Sequence, residues 1–174
     1  DAVYSARILG NSYQVDFDFP KQVRNDLIIN LKNNLKINSD FIDIGTPHLL
    51  INYDKINSNS MDFDNFDLIN FAKPLRYNTI LFPNGTNVSI YKIETDNLVR
   101  LRTYERGVEA ETGACGTASV SLGYLLFSKK LCNDPITIIP TSQIPLTIHN
   151  SEKNVTLEGP AEQIGEKEIE FFGD

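Results

Sequence analysis

Cys115 is the residue whose type and position most directly suggest chemistry. It ends an irregular, glycine-containing segment and comes immediately before TASVSLGYLLFS at 117–128, which is apolar or small on nearly every side and predicts a buried helix. A thiol at a helix N-terminus lies beside unpaired backbone N–H groups and the positive end of the helix dipole, which predicts a lowered pKa and a ready thiolate. The alternative interpretation is a small buried apolar residue without a chemical role.

The backbone that follows Cys115 predicts an anion site. The N–H groups of Gly116 and Thr117 would bind a carboxylate while the thiol faces the neighbouring carbon, and Gly116 has no Cβ to keep a ligand away. Cys132 lies beyond the other end of the same predicted helix, so a rise of about 1.5 Å per residue places the two thiols on the order of 25 Å apart. The two cysteines are therefore predicted to share neither a site nor a disulfide.

Four further polar residues lie where predicted strands meet loops. Glu105 and Arg106 leave an alternating strand and enter a loop, where functional side chains are often displayed, although a solvated surface pair is the alternative. His48 follows the turn Gly45-Thr46-Pro47, and a capping or packing role is equally compatible with that position. Asn87 begins a strand after a turn, where asparagine also serves simply to form the turn.

The elements that must position these residues are a mixture of strands and helices. The spacing of Val23, Leu27, Ile28 and its apolar successors predicts an amphipathic helix over 21–36, and a short helix is predicted to end before Pro74. The segment 105–116 is predicted to be a loop. Short or alternating apolar runs predict strands at 13–19, 41–44, 49–53, 86–93, 97–104, 136–139, 146–148, 155–157 and 168–172.

The composition restricts the class of protein and its partners. The chain has 174 residues, 41% of them hydrophobic, without a repeat or linker-like stretch, which predicts one domain over 1–174. A net charge of -7 without a block of basic residues argues against nucleic acid. No apolar run approaches the roughly 20 residues that span a bilayer, so we expect a cytoplasmic protein without membrane contact. The two cysteines lack zinc-ligand spacing, so no metal is expected.

Taken jointly, these segments resemble the C-terminal half of the diaminopimelate epimerase family. YERGV at 104–108, ET at 111–112 and ACGT at 114–117 resemble the family's ERGV, ET and ACGTG signature in order and near-correct spacing. FPNGTNV at 82–88 resembles its FPxGTNV segment, GTPH at 45–48 its GNPH turn, and GPA at 159–161 its C-terminal GPA. The resemblance covers about 42–161, with Thr46 in place of asparagine and Ala118 in place of glycine.

The resemblance implies both a fold and an activity. The expected fold is α+β, a mixed sheet or barrel that curls around a central buried helix. The expected reaction interconverts LL- and meso-diaminopimelate, for lysine and peptidoglycan precursors, without pyridoxal phosphate or another cofactor. One thiolate removes the α-proton and a second thiol returns it on the opposite face.

The resemblance also implies roles for the individual residues. Cys115 would be one of the catalytic thiols, and His48 with Glu105 would tune the thiol pair. Glu105 and Arg106 would hold the charged groups of the substrate, while Asn87 and Thr46 would orient its distal amino-acid centre. Gly116 and Thr117 would bind the α-carboxylate.

The family's second cysteine lies in a CGNG-type motif, which does not occur in these 174 residues. We therefore expect a missing N-terminal domain that carries this cysteine as a partner of the chain, together with a small amino-acid substrate, and a homodimer stays an open expectation. The alternatives are a related enzyme, such as a proline, hydroxyproline or histidine racemase or a phenazine-pathway isomerase, and a non-catalytic ligand-binding domain.

Overall fold

The computed structural model describes residues 5–31, 36–56, 62–161 and 165. Within them, Tyr53–Lys55 form a short 3-10 helix, and neither α-helix is long and apolar enough to cross a membrane. The strands and α-helices are β1 Ser5–Leu9, β2 Ser12–Phe17, β3 Gln22–Asn30, β4 Lys36–Asp43, β5 Pro47–Asn52, α1 Leu68–Arg76, β6 Asn87–Thr95, β7 Leu98–Glu105, β8 Ala110–Thr112, α2 Gly116–Ser128, β9 Ile136–Ile139, β10 Leu146–Asn150 and β11 Val155–Pro160.

All the described strands belong to one mixed sheet. Its order is β1-β2-β11-β10-β9-β7-β6-β5-β4-β3, and β8 pairs with β7 outside this path. The pairs β5–β6 and β7–β9 are parallel, and the others are antiparallel. Helix α2 packs against β10 and β11 from one part of the sheet and against β4 and β5 from another, so the sheet curls around it. The expected mixed sheet around a buried helix is confirmed, and the described strands leave it open rather than closed into a barrel.

The two faces of the sheet bury separate apolar cores. Successive side chains of a strand point to opposite faces, so Leu49 and Ile51 of β5 join the core beneath α1, whereas Leu50 joins the core around α2. Gly123 explains how closely α2 approaches the sheet, because a Cβ at that position would overlap the side chain of Ile148 on β10. The sheet therefore holds α2 in a fixed place, which also fixes the residue that begins it.

The helix predicted over 21–36 is wrong, because this segment contains the strand β3, paired antiparallel with β4. The pairing register shifts between Arg24 and Leu27, and Asp26 lies in the left-handed region with φ 55°. Such a bulge adds residues to one strand and interrupts the alternation of apolar positions. The resulting three- and four-residue spacing imitates that of an amphipathic helix. Residues 32–35 lie outside the described residues.

Two smaller predictions also differ from the structure. The segment predicted as a loop over 105–116 contains β8, which pairs with the end of β7. Helix α1 continues through Pro74 to Arg76 rather than ending before the proline, because its buried face, with Leu75 packed in the core, extends past that position. The strands predicted around β2, β5 to β7 and β9 to β11 are confirmed to within three residues at each end, whereas β4 begins five residues before the predicted 41–44. The strand predicted at 168–172 lies outside the described residues.

Candidate active site

Three of the predicted site residues lie at one edge of the sheet. His48 and Asn87 are paired in register near the starts of the parallel strands β5 and β6. Glu105 ends β7, which runs antiparallel to β6, so it reaches the same edge. Side chains an even number of residues apart in a strand share a face, and Leu50 of β5 and Leu101 of β7 belong to the core around α2. The same alternation places the side chains of His48, Asn87 and Glu105 on the face that α2 covers.

Cys115 is the N-cap residue of α2 and meets this edge from the helix. Its extended backbone, with φ −130° and ψ 106°, turns the chain into the helix that begins at Gly116. The carbonyl oxygen of Cys115 accepts the backbone N–H of Ser119 at 3.0 Å and its hydroxyl at 3.1 Å, which fixes the first turn. The first N–H groups of a helix have no intrahelical acceptor, so those of Gly116 and Thr117 are available to an anion.

The pKa of Cys115 differs from the sequence-based expectation. Burial raises the pKa of the thiol to about 11, and the negative charge of Glu105, with its hydrogen bond to the thiol, adds to the rise. Hydrogen bonds from Thr117 and from the backbone of Ala118 offset only part of this effect. The prediction of a lowered pKa is therefore wrong here, because desolvation and a neighbouring carboxylate outweigh the helix N-terminus. The resting residue is a thiol.

A chain of contacts joins His48 to the thiol through Thr117. The Nε2 of His48 lies 3.0 Å from the Oγ1 of Thr117, and this oxygen lies 3.5 Å from the Sγ of Cys115. His48 is fully buried, and burial, followed by the charge of Arg106, lowers its pKa to about 3, so the imidazole is neutral. Sequence reasoning gave Thr117 only a backbone role and missed its hydroxyl, for which the signal was its position two residues after the cysteine.

The tautomer of His48 follows from its surroundings. Its Nδ1 has no hydrogen-bond partner among the described residues, and a buried donor without an acceptor is costly. The arrangement therefore favours a proton on Nε2 that is donated to Thr117. The hydroxyl proton of Thr117 is then directed to the sulfur of Cys115, where it would stabilise a thiolate.

The charged loop beside the site is tied to its neighbours. The backbone N–H of Arg106 donates to Oδ1 of Asn87 at 2.7 Å, and its Nη1 donates to the carbonyl oxygen of Asn84 at 2.7 Å. The hydroxyl of Thr112 donates to Oε1 of Glu105 at 2.8 Å, which orients that carboxylate. Arg106 and Glu105 are both partly exposed.

The remaining candidates, Thr46 and Gly116, lie close to these residues in the chain. Thr46 is partly exposed in the turn before β5, and Pro47 next to it accepts a hydrogen bond from Nδ2 of Asn87 at 3.0 Å. A Cβ on Gly116 would lie 3.1 Å from Cδ2 of Leu157, so packing against β11 is one reason for glycine there. The described residues contain no cluster of side chains suited to a metal ion.

Solved structures with a similar fold are racemases, epimerases and phenazine-biosynthesis proteins. A probable proline racemase from Agrobacterium radiobacter with bound carbonate matches with a TM-score of 0.70 and 14% identity, over 96% of this chain and 56% of that one. A hydroxyproline epimerase from Agrobacterium vitis with bound trans-4-hydroxy-L-proline matches with a TM-score of 0.68 and 15% identity, over 90% and 52%. The chain therefore has the fold class of these racemases and epimerases.

Sequence comparison defines the family. The diaminopimelate epimerase of Hydrogenobaculum sp. is 34% identical over 134 residues, which are 75% of this chain and 46% of that protein. The enzyme of Methanocella arvoryzae is 37% identical over 129 residues, 74% of this chain and 43% of that protein. The chain belongs to the diaminopimelate epimerase family, and it spans about half the length of these curated relatives. No protein-family model matches it.

Proposed function

We propose that this chain is one catalytic half of a cofactor-independent epimerase that interconverts LL- and meso-diaminopimelate, a step that supplies lysine and peptidoglycan precursors. The observation that carries the proposal is the position of Cys115. Its thiol begins a buried helix and contacts both Glu105 and the hydroxyl of Thr117. The names of the curated relatives support the same reaction.

The helix start and the thiol divide the chemistry between them. The α-carboxylate of the substrate binds the N–H groups of Gly116 and Thr117, which stabilise the negative charge that develops when the α-proton leaves. Cys115 faces the α-carbon from one side. A weak carbon acid requires its base in direct contact and shielded from water, and the buried edge of the sheet supplies that shielding.

The raised pKa of Cys115 suits the direction of the reaction in which this residue acts as the acid. As a thiol it donates its proton to the α-carbon while a thiolate of the second domain removes the proton from the opposite face. In the reverse direction Cys115 must first lose its proton, and Glu105, already hydrogen-bonded to the thiol, is the adjacent acceptor. The hydroxyl of Thr117, oriented by His48, then stabilises the thiolate.

The charged loop would recognise the rest of the substrate. Diaminopimelate carries a second amino-acid centre, whose carboxylate and ammonium groups require partners of opposite charge. The guanidinium of Arg106 suits the carboxylate because a planar fork can donate two parallel hydrogen bonds. Glu105, Asn87 and Thr46 lie around the same edge and would complete this contact.

Deuterium incorporation at the α-carbon of diaminopimelate in heavy water tests the proposal. The full-length protein should exchange this hydrogen, and Cys115→Ser should abolish the exchange because a serine hydroxyl is a far weaker acid than a thiol and does not ionise to a base near neutral pH. Cys132→Ser is the matched control, because that cysteine is packed in the core beyond the C-terminal end of α2. Exchange that survives Cys115→Ser but not Cys132→Ser would contradict the assignment of the thiol.

Thr46 favours one alternative, a related amino-acid racemase with a different side-chain preference. A threonine in place of asparagine changes the size and the hydrogen-bonding groups of the turn before β5. The same exchange assay with proline, hydroxyproline and histidine decides between these substrates. Binding without exchange of any amino acid would instead indicate a non-catalytic ligand-binding domain.

A further inference from the structure

The turn that carries Glu105 and Arg106 is closed by a residue in a disfavoured conformation. The backbone N–H of Glu109 donates to the carbonyl oxygen of Glu105 at 2.8 Å and closes the 105–109 turn. Glu109 has φ 59°, in the left-handed region that residues other than glycine rarely adopt. Such a conformation persists only where surrounding contacts impose it.

The contacts that impose it converge on the carboxylate of Glu109. Its Oε1 accepts Nε of Arg76 at 3.1 Å, Nη2 of Arg76 at 2.7 Å and the backbone N–H of Gly107 at 3.0 Å. Its Oε2 accepts the hydroxyl of Tyr77 at 2.8 Å. The Gly107 N–H, the Tyr77 hydroxyl and the Arg76 guanidinium hold the pKa of Glu109 below its ordinary value, so the carboxylate stays charged.

Arg76, at the end of α1, also contacts the loop before β6, which contains Asn84 and Gly85. Its guanidinium lies against the backbone of Gly85, where a Cβ would overlap it, and Gly85 has φ 68°. The residue before Gly85, Asn84, accepts the side chain of Arg106 through its carbonyl oxygen. Arg76 therefore touches both the loop that leads to Asn87 and, through Glu109, the loop that carries Arg106.

We propose that Arg76 and Glu109 are positioning residues that fix the guanidinium of Arg106 for substrate binding. The inference rests on the proposed function only where it assigns Arg106 to the substrate. Neither residue of the pair is required to touch the substrate or the thiol. The ion pair holds the 105–109 turn against α1 and the Gly85 loop. The guanidinium of Arg106 is therefore in position before the substrate binds, and binding does not have to pay for ordering it.

Backbone hydrogen exchange tests the positioning without any substrate. In the full-length protein, Glu109→Ala should speed exchange of the N–H groups of Arg106, Gly107 and Glu109 by about tenfold, because their turn loses its anchor. Glu109→Gln should have a smaller effect, since its amide oxygen can still accept the Gly107 N–H. Glu94→Gln is the matched control, because that carboxylate is also ion-paired and is 31% exposed against 32% for Glu109.

Kinetics then separate positioning from loss of structure. Glu109→Ala and Arg76→Lys should raise KM for diaminopimelate about tenfold and change kcat less than about twofold. A merely structural role would lower kcat through a smaller folded fraction and leave KM unchanged. If Glu109→Ala does not fold, Glu109→Gln decides, with a KM increase of about threefold.

Two results would overturn the inference. One is an unchanged rate of backbone hydrogen exchange in the 105–109 turn of a folded Glu109 variant. The other is faster backbone exchange together with an unchanged KM. Failure of the proposed function has a different signature. In that case the parent protein neither exchanges nor turns over diaminopimelate, no KM can be measured, and the backbone exchange data alone decide whether the pair holds the turn.

Discussion

The side-chain oxygen of Asn87 accepts the backbone N–H of Arg106 at 2.7 Å. The amide nitrogen of the same side chain donates to the carbonyl oxygen of Pro47 at 3.0 Å, and Asn87 is only 3% exposed. One buried side chain thus joins the first residue of β5 to the turn after β7. The position of Arg106 relative to His48 is therefore set by the interior of the protein.

Arg106→Lys should damage the full-length enzyme far more than conservation of charge suggests. Lysine cannot make two parallel hydrogen bonds to a carboxylate. Its single ammonium group would also have to bind both the carboxylate and the carbonyl oxygen of Asn84, to which the guanidinium of Arg106 now donates. We expect kcat/KM for diaminopimelate to fall by about 100-fold, within the range of a lost charged hydrogen bond. Arg7→Lys, in an exposed ion pair on β1, is the control. A loss within a few-fold would remove Arg106 from the substrate site.

Glu105→Gln should lower the pKa of Cys115. The carboxylate raises that pKa both by repelling the thiolate and by hydrogen bonding to the thiol, and a neutral amide removes the repulsion. The pKa should fall below about 11 but stay above the ordinary value, because burial, the largest cause, is unchanged. Alkylation rates against pH, in a Cys132→Ser background, measure the shift. A pKa equal to that of the parent would show that Glu105 does not act on the thiol.

His48 should make the free energy of unfolding depend on pH. Its pKa falls from 6.5 to about 3 on folding, so the unfolded chain binds more protons in that interval and acidification destabilises the fold. The contribution is complete above pH 6.5 and is lost as the pH falls towards 3, at up to about 1.4 kcal/mol per pH unit.

The measurement for His48 is urea unfolding between pH 6.5 and 5, an interval above the range in which most carboxylates titrate. His48→Gln should flatten the dependence of the free energy of unfolding on pH. Ser121→Ala, at a buried position without a titratable group, should leave the dependence as in the parent protein. Equal slopes for the two variants would contradict the prediction.

The sequence predicted the helix and the strands of the site better than it predicted β3 and the pKa of the thiol. An apolar surface on every side identifies α2 without knowledge of its neighbours, and Cys115 follows from its boundary. The bulge near Asp26 could not be read in the same way, because its backbone conformation depends on pairing with β4. The helix N-terminus predicted a lowered pKa for Cys115, but the sign of the pKa shift depends on burial and on Glu105, which only the fold brings together.

The positions of the supporting residues depend even more on tertiary structure. Thr117 reaches both His48 and Cys115 because β5 begins beside the first turn of α2. Glu109 and Arg76 are far apart in sequence, and nothing in their local residue types predicts that they form an ion pair beneath the Arg106 turn. Local patterns therefore suggested the candidate site residues, whereas the residues that hold them in place became visible only from the order of the strands in the sheet.

The 174-residue chain alone should fold but should not interconvert diaminopimelate stereoisomers. Inversion requires an acid on the face opposite Cys115, and Cys132 cannot supply it, because it is 9% exposed and packed in the core beyond the end of α2. Water could return the proton, but an open half-site loses the desolvation that makes a thiolate an effective base.

Chiral separation of the product measures this activity directly, and a separately expressed cysteine-bearing domain should restore it only if the two parts associate. Turnover by the chain alone that equals that of an intact epimerase, and that persists in Cys132→Ala, would show that no second thiol is needed.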